Sequence, residues 1–196
     1  MNPILEKSQV KEIPLATSRP FIERWHYSGC VPTGKNIFLG WYTGTLLYAV
    51  ADYGVGVNPY QAAFLSRTTG HDVTKTNLLE LKRLCRIEPK NPSLPLTAFL
   101  SRCHKLLKRL GYTYIISFSD PGHGHNGGIY KAANFTYLGT TNPEYHAIDK
   151  DGNIRHRRYY YRYARRNGVT MAEARTELGL RRVKTAAKDR WFLVVG

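Results

Sequence analysis

Apolar residues between Thr97 and Leu110 recur at helical spacing: Phe99, Leu100, Cys103, Leu106, Leu107 and Leu110 on one face, with Arg102, Lys105, Lys108 and Arg109 left for solvent. This spacing predicts an amphipathic helix closed by Gly111. Leu79 to Ile87 alternates apolar and polar residues, the period of a strand. Ile37–Tyr42 and Leu46–Tyr53 are strand-like runs separated by Thr43-Gly44-Thr45, which predicts an antiparallel hairpin. Ahead of them, Pro20 to Tyr27 reads as a short helix carrying Phe21, Ile22 and Trp25 inward, with Ser18 as its cap, Pro20 in its first turn and its end near Gly29. Tyr112 to Ser119 reads as a strand, and beyond a Gly-rich loop a helix is expected from about Gly128 to Ala133. Antiparallel strands followed by strand, helix, strand, helix give an α/β (α+β) chain with a central mixed sheet flanked by helices.

The C-terminal third is patterned differently. Tyr145–Asp149 and Ile154–Tyr161 read as two strands of a hairpin around Lys150-Asp151-Gly152-Asn153. Thr170-Met171-Ala172-Glu173 has the form of a capping box, so Met171 to Leu178 is expected to be helical and to end at Gly179. With Leu180–Lys184 behind it, the segment has the outline of a helix-turn-helix. Trp191–Val195 is expected to return to the sheet as a last strand. No internal repeat or low-complexity linker interrupts the chain. The expected organisation is a single domain over residues 1–196, with 162–188 a basic helical insertion before the last strand.

Composition narrows the class of partner. The 196 residues are 42% hydrophobic, enough for one substantial core. Twenty-nine Lys and Arg against 14 Asp and Glu leave a net charge of +15, which points first to nucleic acid. The start of the chain lacks a basic leader followed by an apolar run, and no long apolar segment occurs, so a soluble cytoplasmic protein without a membrane partner is expected. Three cysteines, Cys30, Cys85 and Cys103, without Cys-x-x-Cys spacing argue against a disulfide framework or a zinc knuckle.

Candidate chemistry gathers where the strand Tyr112–Ser119 runs out: Asp120, His123, His125 and Tyr130 follow within one polar loop and the start of a helix. Asp120 is placed to take a proton from an aromatic amine or orient it, or simply to form an Asp-Pro turn. His26-Tyr27 has two readings as well, an acid–base or metal-ligating pair and a packed helix end. Arg83 can hold a carbonyl or phosphate in two bonds, or pair with a nearby acid such as Glu80. His123-Gly124-His125-Asn126 suggests a His-Asn-His nuclease, but a strand-to-helix junction is the wrong setting for that ββα motif. Farther on, cations interleave with rings. Arg155, Arg157, Arg158, Arg162, Arg165, Arg166, Arg181, Arg182 and Lys184 are candidate DNA contacts, and Tyr160 is a candidate stacking ring. Alternation along a strand sends some of the tyrosines into the core.

The element order and Ile129-Tyr130-Lys131-Ala132-Ala133-Asn134-Phe135 resemble the GNAT N-acetyltransferase fold and its Leu-Tyr-x-x-x-Gly-Phe signature. In that family the tyrosine commonly serves as general acid, and the matching position is Tyr130. A narrower resemblance covers about residues 20–139. Trp25-His26-Tyr27-Ser28-Gly29, Glu80-Leu81-Lys82-Arg83 and Ser117-Phe118-Ser119-Asp120-Pro121, followed by Gly-His and Ile-Tyr-x-Ala-x-Asn-Phe, are similar in order to the bacteriophage Mom DNA-modification proteins. The resemblance implies transfer of a carbamoylmethyl group to the exocyclic amine of adenine in double-stranded DNA, with protection from restriction. It also implies His26, Tyr27, Arg83, Asp120 and Tyr130 as site residues, and an iron site on His26, Tyr27 and Asp120. The coenzyme A loop of acetyltransferases holds pyrophosphate on glycine-rich backbone amides. Here the corresponding stretch, Glu88 to Thr97, has no glycine and three prolines, which argues against acetyl-CoA and leaves Lys90, Ser93 and Thr97 as side-chain donor contacts. An aminoacyl ester such as glycyl-tRNA is a consistent donor, because glycine supplies both carbons and the nitrogen. The alternatives are an acetyl-CoA-dependent N-acetyltransferase and a DNA-binding protein without chemistry. The oligomeric state stays open, a homodimer among the options.

Overall fold

The computed structural model describes residues 3–143, 145–155 and 157–195, with the side chains of residues 3 and 158 outside that description. His156 of the basic segment therefore lies outside the described residues, as does the side chain of Arg158. The chain forms two compact units. The first takes in residues up to Ser119, Gly127–Gly139 and the end from Arg190, and the second takes in Asp120–Asn126 and Thr140–Asp189.

In the first unit the order is α1 (Pro3–Glu6), β1 (Ser8–Glu12), α2 (Leu15–Trp25), β2 (Asn36–Thr43), β3 (Leu46–Gly54), α3 (Gln61–Thr69), β4 (Leu78–Arg86), α4 (Leu96–Arg109), β5 (Tyr114–Ser119), α5 (Gly128–Ala132) and β6 (Thr136–Thr140). The chain's final strand, Asp189–Val194, enters between β5 and β6, so the sheet order is β1-β2-β3-β4-β5, then that strand, then β6. Strands β1 to β4 pair antiparallel, and β4 pairs parallel with β5.

Strand alternation gives this sheet two apolar faces. Leu39, Trp41, Ala49, Ala51, Leu79 and Ile115 pack with Phe99, Leu100, Cys103 and Leu107, the predicted apolar face of α4. Trp41 stacks on Phe99 with centroids 5.4 Å apart and rings nearly coplanar in orientation. Both are fully buried, so a Phe99→Ala cavity costs about 3–5 kcal/mol. Phe38, Val50 and Cys85 meet Ile22 of α2, with Phe21 and Trp25 packed against them, as expected. Leu78, Tyr114 and Ile116 meet Ala62 and Leu65 of α3.

The helix expected from Pro20 begins earlier, at Leu15, with Pro14 in the cap position. Pro20 sits inside it and Ser18 is not a cap: its hydroxyl is buried and donates back to the Leu15 carbonyl at 3.2 Å. One missing amide bond is tolerated because packing of Ile22 holds the helix against the sheet. Neither β1 nor α3 has a periodic signal long enough to have been anticipated.

The second unit contains β7 (Tyr145–Ile148), β8 (Ile154–Arg155), α6 (Arg157–Asn167), α7 (Met171–Glu177) and β9 (Arg181–Lys184), with strand order β8-β7-β9. The numbering closes with β10, the Asp189–Val194 strand of the first unit. The hairpin turn forms as expected, organised by Asp149, whose carboxylate accepts from the Asp151 and Asn153 amides at 3.0 and 2.8 Å. The second hairpin strand does not extend to Tyr161. It stops at Arg155, and residues 157–167 are helical. Tyr160 and Ala164, four apart, bury together against Ala147, Ala174 and Leu180, so a helical stripe outweighs the β preference of three successive tyrosines. Thr170 and Glu173 form the reciprocal capping box at the start of α7. The helix-turn-helix outline fails behind it, because Arg181–Lys184 pair with β7 as a strand.

Candidate active site

The parallel pairing of β4 and β5 runs from Leu78↔Tyr114 to Leu81↔Ser117, while β4 continues to Arg86. At this last registered pair the Ser117 hydroxyl reaches both the Leu81 carbonyl and the Tyr130 hydroxyl, each at 2.9 Å. The carbonyl only accepts, so the single Ser117 proton goes there and the Tyr130 O–H donates to Ser117 Oγ. If Tyr130 ionises, Ser117 can turn its proton to the phenolate. Burial raises the Tyr130 pKa, Ser117 lowers it, and the charges of Tyr27 and Glu80 raise it again. The net direction is upward, which keeps Tyr130 protonated as an acid requires.

The short helix α5 delivers this hydroxyl with little freedom. The Tyr130 ring lies 5.8 Å from the Trp191 ring in a stacked arrangement and 5.4 Å from Phe135 edge-on. Trp191 is itself held by its indole N–H, which donates to Ser119 Oγ at 2.9 Å. Gly127 caps α5 with φ 73°, and a Cβ there would lie 2.1 Å from Trp191. The Ala132-Ala133-Asn134-Phe135 part of the motif ends the helix through Asn134 at φ 63°, which returns Phe135 to the core.

Glu80, read from sequence as an ion-pair partner for Arg83 and as part of the Glu80-Leu81-Lys82-Arg83 motif but not as a site residue, belongs to this group. It registers with Gly54 on one side and Ile116 on the other, and its charge acts on both Tyr130 and Asp52. A Cβ on Gly56 would lie 2.9 Å from Glu80 Oε2. Asp52 is fully buried on β3, and burial lifts its pKa to about 6 despite Lys82 and Arg83 nearby. Between Asp52 and Lys82 lies Asn36, whose amide N–H reaches Asp52 Oδ2 at 3.4 Å while Lys82 Nζ donates to its oxygen at 3.0 Å.

Arg83 pins the loop behind α2. Its Nε donates to the Cys30 carbonyl at 3.1 Å and its Nη1 to the Lys82 carbonyl at 2.7 Å. That loop carries His26 and Tyr27, with ring centroids 4.4 Å apart and Tyr27 exposed. His26 Nδ1 lies 2.8 Å from the Ser28 hydroxyl and 3.1 Å from the Ser28 backbone nitrogen. The Nδ1–H tautomer that metal binding through Nε2 requires can therefore donate to that hydroxyl, and His26 and Tyr27 are the residues of this loop that would hold the implied iron. Among the described residues, no group of three or more His, Cys, Asp and Glu is arranged to hold a metal ion.

Asp120 belongs to the second unit and is engaged in a turn. Its Oδ1 accepts from the Gly122 amide at 3.0 Å, and its Oδ2 lies 3.3 Å from His123 Nδ1 and 3.9 Å from Lys188. On α6, Arg157, Arg162, Arg165 and Arg166 are exposed, as are Tyr159 and Tyr161, whereas Tyr160 is buried and not open to stacking. Arg155 is tied to Asp149 and Arg182 lies 3.7 Å over the Tyr145 ring; Arg181 and Lys184 are exposed on β9. In the first unit the amides of Asn91 and Ser93 are taken by the Tyr48 hydroxyl and the Asn91 side chain, at 2.8 and 2.9 Å. Thr97 lines a cavity of about 380 Å³ with Ser101, His104, Lys105 and Asn134; Lys90 and Ser93 are not on its wall.

A strand pair that parts at a buried serine, with a tyrosine delivered from the following helix, defines a GNAT-type fold, and solved structures agree. The ribosomal-protein-S18-alanine N-acetyltransferase of Escherichia coli superposes with a TM-score of 0.53 at 10% identity, covering 96% of this chain and 94% of the other. A variant of the spermidine N-acetyltransferase SpeG of Vibrio cholerae gives 0.54 at 7% identity, with the same coverage. Within that fold the chain belongs to the Mom protein family, whose model matches residues 7–195. The methylcarbamoylase mom of Escherichia phage Mu is 24% identical over 143 residues, 72% of this chain and 57% of the phage protein. The match thus spans little more than half the length of that relative. Among the described residues, no helix is long and apolar enough to cross a membrane.

Proposed function

We propose that this protein is a transferase that places a carbamoylmethyl group on the exocyclic amine of adenine in double-stranded DNA, protecting it from restriction. The observation that carries the reading is the Tyr130–Ser117 hydrogen bond at the parting of β4 and β5, in a chain of the Mom family. The adenine amine is a weak nucleophile because its lone pair is delocalised into the ring. Glu80 takes its proton as the new bond forms, and Tyr130 protonates the departing group. The exposed arginines of α6 hold DNA phosphates, with Tyr159 and Tyr161 as rings beside them.

An aminoacyl ester such as glycyl-tRNA is the donor of this reading. Attack of the adenine amine on the ester carbonyl forms an N–C bond, breaks the ester C–O bond and releases tRNA with its hydroxyl restored. The glycyl amide so formed is an isomer of the carbamoylmethyl adduct, reached without an oxidant or reductant when the two nitrogens exchange carbons. The adenine nitrogen passes from the carbonyl carbon to the methylene, and the glycine nitrogen from the methylene to the carbonyl carbon. The Thr97 cavity, with Lys105 and Asn134 on its wall, is where the donor binds. Acetyl-CoA is disfavoured by the engaged amides of Asn91 and Ser93 in the loop that would have to cradle pyrophosphate.

Mass spectrometry of nucleosides from bacterial DNA after expression tests the reading. An adenosine adduct is expected with the native chain and is lost in Tyr130→Phe and Glu80→Gln. Asp120→Ala reports separately on the turn after β5. Unmodified DNA beside abundant folded protein and charged glycyl-tRNA overturns the assignment.

A further inference from the structure

An adenine stacked in a duplex does not present its amine to a recessed acid–base pair, so the base must leave the helix and something must fill the gap. This inference rests on the DNA-modifying reading above. The segment from Val55 to Tyr60 has the required chemistry. Val57 is 95% exposed and Tyr60 75% exposed, and Val55 is exposed beside them, although all three are large apolar or aromatic side chains. Lone exposed apolar residues are common, but three within six positions on one loop are a patch.

The loop leaves the sheet at the acid–base group. Gly54 is the register partner of Glu80, and Val57 follows three residues later, within roughly 10 Å of Gly54 even if fully extended. Gly56 passes so close that a Cβ would lie 2.9 Å from Glu80 Oε2 and 2.5 Å from Gln61 Oε1. The loop is also stiff at its far end. The Tyr60 amide donates to Asn58 Oδ1 at 2.9 Å, the Gln61 amide to the Asn58 carbonyl at 3.2 Å, and Pro59 restricts the residue between. Tyr60 then accepts the first bond of α3, whose Ala62 and Leu65 are anchored in the core. Lys75 borders the same recess as Val55 and Val57, supplying a cation for the neighbouring phosphate.

We propose that Val57 and Tyr60 form a wedge that enters the duplex, occupies the space vacated by the target adenine and holds that base at Glu80 and Tyr130. Apolar side chains that separate base steps act in this way in proteins that deform DNA. Tyr60 stacks on the base left behind, while Val57 fills the gap.

Permanganate oxidises thymines that have lost their stacking, so it reports the thymine orphaned by an extruded adenine without knowledge of the target sequence. The full chain bound to a linear duplex should create reactive thymines. Val57→Ser with Tyr60→Ser should lower that reactivity about tenfold at equal bound fraction, because the wedge acts on unstacking rather than on phosphate binding. Val57→Ile with Tyr60→Phe should retain it. Both positions are exposed, and equal melting temperatures check that the variants fold. Unchanged thymine reactivity in the serine variant overturns the wedge while leaving the proposed function intact if the adenosine adduct is still made in cells. Absence of any adduct with the native chain removes both.

Discussion

Two buried groups of opposite type should hide one another's effect on stability. Asp52 has no solvent exposure, and its Oδ1 has no partner among the described residues. Burial raises its pKa from 3.8 to about 6. His104, on the inner face of α4, has a buried Nε2 without a hydrogen-bond partner among the described residues, and burial lowers its pKa from 6.5 to about 4. As pH rises past 3.8 the unfolded chain ionises Asp52 while the folded chain resists until about 6, so Asp52 contributes stability at low pH that is lost on the way up. His104 behaves in the reverse sense: its contribution is present above 6.5 and is lost as pH falls toward 4. At about 1.4 kcal/mol per factor of ten in proton affinity, each amounts to about 3 kcal/mol over its full window and about 2 kcal/mol between pH 4 and pH 7. The two oppose and largely cancel. Asp52→Asn should therefore make the protein lose about 2 kcal/mol more than the native chain on going from pH 7 to pH 4, and His104→Gln should make it lose about 2 kcal/mol less. Urea unfolding followed by tryptophan fluorescence at both pH values gives the four differences. If both variants keep the native pH dependence to within about 0.5 kcal/mol, the burial argument for the two groups is wrong.

Other expectations follow from single interactions. Gly127→Ala places a methyl group against the Trp191 indole at a positive φ, and should cost about 3 kcal/mol in urea unfolding while loosening the ring that backs Tyr130. Replacing Arg162, Arg165 and Arg166 by alanine should weaken DNA binding on every sequence alike and flatten log K against log salt by about 0.9 for each phosphate that is no longer neutralised. An unchanged salt slope in a mobility-shift titration would remove α6 from the DNA interface.

Much of the first unit was legible because its signals are local and periodic. The α4 stripe, the β2–β3 hairpin and the Ile-Tyr-x-Ala-x-Asn-Phe motif each state their own geometry within about a dozen residues. The α6 segment misled for an equally local reason. Tyr159-Tyr160-Tyr161 favours a strand by propensity, and only the burial of Tyr160 and Ala164 against Ala147 and Ala174 selects the helix. Glu80 escaped notice as a site residue because its alternating position on β4 resembles any strand residue. Its significance comes from Gly54, Gly56 and Tyr130, brought to it from other elements.

By itself, the amino-acid sequence determined the charge, the mixed α/β class, the amphipathic α4 and the ordered set of motifs that place the chain in its family, since these are properties of composition and short-range period. The tertiary structure decided which of the marked side chains meet. Arg83 holds the Cys30 loop, Asp120 closes a turn, Tyr160 is core, and Tyr130 finds Ser117. Those outcomes depend on strand register and on where β4 and β5 separate, and a hydrogen bond between residues 13 apart leaves no periodic trace in the chain.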